Sequence, residues 1–319
     1  MEESELGNAS PSSKACSATE SKEVSGVASS NCLASLDVNS YAKQVRIMVE
    51  RIKNSNLSHV LTAHEKILFK LVEEAFKSAK LKKDTEIVFD IRGKEKVKIT
   101  KSWFVKLLEI PTADVYFTVT PAHLIEMFNS MGHKPYMNKL SDFRKSGLPA
   151  LWLLLFSFMI RGLTNKCTGF DKANKDHQSL LFGIYSGQPI DYASILWKEF
   201  KDSLINRQKD EVSCHRFWSC VVRNAYKFFA DRHEIPEINL FAKPLIQICK
   251  IKVLSKYPSQ EQFDFIGQIP ETMLNTIPKD SEVLKLYLKD MVHPPPRRSV
   301  PANIVKKLII ENGISHLRC

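Results

Sequence analysis

The run from Leu148 to Ile160 is apolar on every face of the helix it would form, so the rest of the chain must supply surfaces to cover it. At thirteen residues, led by Pro149 and closed by Arg161, it falls short of the ~20 residues that cross a bilayer. Its cover must therefore be protein. Glycine says what kind: 11 in 319 residues is about half the usual ~7% share, which disfavours folds with many hairpins or phosphate-cradling loops. The expectation is a mainly α, multi-helix globular bundle with this helix at its centre.

Apolar spacing and caps place the other elements. Val45, Met48, Val49 and Ile52 give a helix face within Tyr41 to Lys53. Thr62 and Glu65 match a capping box for a helix carrying Ile67, Leu68, Leu71, Val72, Ala75 and Phe76. Thr120 followed by Pro121 opens a helix that Gly132 closes, and a short helix from Trp103 stops before Pro111. Further helices are predicted at 175–186, 192–206 behind an Asp191 cap, 213–230, 244–256, 270–276 and 281–291. Residues 86–100 alternate in the manner of strands around Arg92 and Gly93, so one short β-hairpin is predicted there.

The ends differ from the middle. Residues 1–40 hold eleven serines and few large apolar side chains, too few to offset the entropy of ordering, and read as a disordered tail. Residues 41–110 read as a helical subdomain with the hairpin, 111–292 as a helical core, and 293–319 as a proline-rich spacer before an amphipathic helix over 302–311.

Charge and cysteine narrow the setting. Of the net +11, the first 40 residues carry −4 and the remainder +15, a field that attracts phosphate backbones or acidic partners. The candidate nucleic-acid contacts are Lys80, Lys82 and Lys83, the hairpin residues Lys94, Lys96 and Lys98, and Arg297, Arg298, Lys306 and Lys307. An odd count of seven cysteines suits reduced thiols in an intracellular compartment, cytoplasmic or nuclear. The opening residues read as neither a secretory leader nor a transit peptide.

Several short elements recur together in one order: Leu148-Pro149, Leu151-Trp152, Arg161 to Lys166, and Thr168 to Asp171. Leu181 to Tyr185, Asp191 to Trp197 and Arg216 to Trp218 continue it, with Ile125 to Gly132 upstream. Over about residues 100–230 this composite resembles gag-like proteins encoded by plant retrotransposons, and Leu180 to Asp191 is more distantly similar to a plant-transposon domain. The resemblance implies a helical, non-catalytic structural or assembly role. Its motif residues are Trp152, Arg161, Asp171, Gly183, Tyr185, Asp191, Tyr192, Trp197, Phe217 and Trp218. Read from the residues alone, the large aromatics pack a core, Asp191 caps a helix, and Arg161 pairs with Asp171.

No pattern for a reaction centre emerges. Cys214, His215, Cys220 and His233 lack zinc-knuckle spacing, and Gly93, Lys94 and Glu95 fail the P-loop pattern because Glu95 stands where a hydroxyl should meet magnesium. No cofactor, metal or small-molecule substrate is indicated, and no membrane. The predicted function is a non-enzymatic, gag-like assembly protein whose candidate partners are RNA or DNA and further copies of the chain. The alternative is a transposase-related protein that binds or cleaves DNA with scattered carboxylates.

Overall fold

The apolar run forms the helix Ala150–Leu163, with Pro149 at its N-cap, and Trp152, Phe156, Met159 and Leu163 on it are fully buried. The structure, a computed structural model, describes residues 30–41, 43–93, 95–166, 171–205, 211–228 and 269–292. In chain order the helices are α1 (Lys43–Lys53), α2 (Ser58–Thr62), α3 (Phe69–Ser78), α4 (Lys101–Leu107), α5 (Pro121–Ser130) and α6 (Ala150–Leu163). They continue as α7 (Lys175–Ser186), α8 (Tyr192–Ile205), α9 (His215–Phe228), α10 (Glu271–Leu274) and α11 (Glu282–Val292). Between α3 and α4 lie β1 (Lys80–Lys82), β2 (Glu86–Ile91) and β3 (Glu95–Thr100), an antiparallel sheet in that order. The protein is thus mainly α with one small sheet.

Local chemistry sets several helix ends. Thr120 accepts from the His123 amide while His123 Nδ1 takes the Thr120 amide, a reciprocal cap, and Pro121 stands at the first helical position of α5. Asp191 accepts from the Ser194 amide at 2.8 Å at the start of α8, and Gly187, at φ +71°, closes α7 in the left-handed region that glycine tolerates.

One core joins the elements. α3 packs on the sheet and on α9, α4 on α8 and α9, α5 and α6 on α7, and α1 on α11. At its centre Phe104 stacks on Phe200 at 4.7 Å, and Trp218 meets Phe200 at 4.9 Å, Phe89 at 5.5 Å and Phe76 at 5.9 Å. These rings come from α3, β2, α4, α8 and α9, so the boundary drawn at residue 110 does not separate two cores.

Three expectations are corrected. No helix begins at Thr62: α2 ends there, residues 63–68 form no regular element, and α3 starts at Phe69. The reason is Arg216, whose Nη1 donates to the carbonyls of Val60 (2.5 Å) and Ala63 (2.6 Å). In a continuous helix both oxygens would be committed to amides four residues on. Second, residues 30–36 belong to the core and not to a tail: Ser30, Asn31, Cys32 and Ala34 are buried. Asn31 and Cys32 donate their amides to Thr164 and Arg161 carbonyls, and the Asn31 side chain bridges Gly162 O and the Phe217 amide. Third, the hairpin gains the strand β1 on its β2 edge. Residues 1–29 and the predicted elements at 244–256 and 293–319 lie outside the described residues.

Candidate nucleic-acid interface

β1 brings together lysines that are separate in sequence. Ile87, Phe89, Ile91 and Ile99 turn inward and are buried, so by the two-residue strand period the alternate positions face out. Register aligns Lys80 with Val88 and Val88 with Lys98, Lys82 with Glu86, and Asp90 with Lys96. Four of the predicted contacts, Lys80, Lys82, Lys96 and Lys98, are therefore exposed on one face, and Lys83 stands in the β1–β2 turn at φ +50°. Lys80 and Lys98 sit two strand spacings, about 10 Å, apart.

Two carboxylates interrupt this face. Glu86 meets Lys98 Nζ at 2.5 Å, and with Lys98 57% exposed the pair contributes little stability. Asp90 lies beside Lys96 in register. Four ammonium groups against two carboxylates leave a positive surface. Lysines on edge strands also discourage strand addition from another chain, so the arrangement suits a protein that meets anions there but not other sheets. Lys94, Arg297, Arg298, Lys306 and Lys307 lie outside the described residues.

The motif residues sit mainly in the core. Trp152, Phe217 and Trp218 are fully buried and Trp197 nearly so; Trp152 meets Tyr185 edge-on at 5.7 Å. Tyr192 is buried against Gly183, where its hydroxyl occupies the space of a β-carbon. Asp171 does not pair with Arg161. It accepts from the Ser146 amide at 2.9 Å, and that bond holds its carboxyl below the ordinary aspartate range.

Sequence reasoning missed two buried polar nodes. Arg216 is fully buried, with no carboxylate partner among the described residues: besides Val60 and Ala63 it donates to Asn31 O (3.3 Å) and Gly162 O (2.6 Å), and Phe217 lies beneath it at 4.7 Å. Burial pulls its pKa down to about 10. His177 on α7 meets Glu199 on α8 at 2.7 Å, both buried, and Glu199 also accepts the Asn165 amide at 3.1 Å. Arg216 lies in an element singled out by order alone, while nothing in the spacing of His177 and Glu199, in separate helices, signals that they meet.

Among the described residues no group of three or more His, Cys, Asp or Glu side chains is placed to hold a metal ion. None of their helices is long and apolar enough to cross a membrane. Comparison with known proteins finds no matching family, curated protein or solved structure.

Proposed function

We propose that this chain is a non-enzymatic structural protein of retroelement origin, gag-like in role, that contacts RNA or DNA through the outer face of its sheet. The single observation that carries the nucleic-acid part is the register that gathers Lys80, Lys82, Lys96 and Lys98 on one exposed surface. Ammonium groups so placed neutralise phosphates and release condensed counterions, a term that is independent of base sequence. The retroelement part is supported by the ordered motifs between residues 100 and 230. Such a role belongs inside the cell, in cytoplasm or nucleus, and includes self-association.

Fluorescence anisotropy with a labelled single-stranded RNA, repeated across salt concentrations, tests the contact: affinity should fall steeply as salt rises. Light scattering behind size exclusion, with and without RNA, tests self-association. The transposase-related reading makes a different demand, metal-dependent nicking of duplex DNA, and nicking would replace the non-enzymatic reading.

A further inference from the structure

Arg51 on α1 is 5% exposed, and its Nη2 donates to Ile184 O at 3.0 Å. Its Nε is buried with no acceptor, and among the described residues no carboxylate forms an ion pair with it. A guanidinium carries five N–H donors, so most of this one's capacity is unused. Desolvation holds its pKa below the ordinary arginine value. Buried cations are normally paired or fully hydrogen-bonded, as Arg216 is by four carbonyls.

Arg51 lines a cleft of about 180 Å³ enclosed by the α1–α2 turn, residues 111–116, the α7–α8 connection and Thr276. Among the described residues no aspartate or glutamate lines it. Asn56, Thr112, Tyr116 and Gln188 do, and none of these side chains forms a hydrogen bond with a described residue. The cleft thus sets one buried cation that has no ion-pair partner among the described residues beside the exposed side chains of Asn56, Thr112 and Gln188 and the half-buried Tyr116. The space is below the ~300 Å³ of ordinary drug-sized sites, which suits a compact oxyanion. A tetrahedral phosphate, with oxygens on every side, can meet a guanidinium and neutral donors that come from separate segments of the chain.

We infer that this cleft binds a phosphate group, with Arg51 as its charge partner and Asn56, Thr112, Tyr116 and Gln188 as its neutral donors. The site is separate from the lysine face and does not depend on it. A phosphate there would come from a small phosphorylated molecule or from a polynucleotide.

Calorimetric titration of the full chain with inorganic phosphate tests this. Saturable heat is expected. Gln188→Glu, at an exposed position, places a carboxylate by Arg51 and should weaken phosphate at least about tenfold without altering the circular dichroism spectrum. Arg51→Met should abolish binding, and Gln188→Glu decides the matter should that variant not fold. Absence of saturable binding, or unchanged affinity in Gln188→Glu, overturns the site. Competition by an RNA oligomer assigns the phosphate to a polynucleotide, and its failure to compete assigns it to a small molecule; either result supports the site.

Discussion

The Tyr192 hydroxyl lies where a β-carbon on Gly183 would stand, and Ile190 closes in from the same side. Two motif residues from separate elements are thus a single packing device: α7 must be bare at 183 so that the ring at the start of α8 can lie against it. Tyr192 is 6% exposed. Gly183→Ala should therefore destabilise the protein by about 1–3 kcal/mol through overpacking, read as a fall in the urea midpoint. Adding Tyr192→Phe, which removes the colliding oxygen, should recover part of the loss.

Arg216 joins the chain's early segment, α2, α6 and α9 through four carbonyls. Arg216→Leu would strand those buried acceptors and should cost about 3–5 kcal/mol, measured by denaturant unfolding. Equal stability of the variant would mean that the carbonyls find other donors.

Glu199 is buried between His177 and the Asn165 amide. His177→Ala leaves its carboxylate with one partner and should cost about 3–5 kcal/mol, whereas Glu199→Gln, which keeps a hydrogen-bonding shape without the charge, should cost less. A double-mutant cycle on unfolding free energies measures their coupling.

Cys32, Cys214 and Cys220 are buried thiols, and burial pushes Cys220 up to about 11. A raised thiol pKa leaves little thiolate at neutral pH, so reactivity should stay low until the pH nears that value. Site-resolved mass spectrometry after iodoacetamide at pH 8 should find these three unmodified in the native protein and modified in urea.

Much of the helical plan is visible in the sequence because it rests on local chemistry. Thr120 with Pro121, Asp191, and Gly187 mark their boundaries by residue type alone. The burial of residues 30–36 and the break at 63–68 leave no local signal because their partners are distant in the chain: Arg216 binds the Asn31, Val60 and Ala63 carbonyls from more than 150 positions away, and Thr164 and Arg161 take the Asn31 and Cys32 amides. β1 is too short for alternation to register in three residues. The sheet lysines were legible singly; that Lys80 and Lys82 share a face with Lys96 and Lys98 follows only from the pairing of β1 with β2.

The salt dependence of RNA binding tests the lysine face most directly. With Lys80, Lys82, Lys96 and Lys98 changed to glutamine, the slope of log affinity against log salt should shrink by about 3, four contacts at ~0.7 each for a single strand. A slope unchanged by those four substitutions, or no RNA binding by the native chain at low salt, would contradict the account.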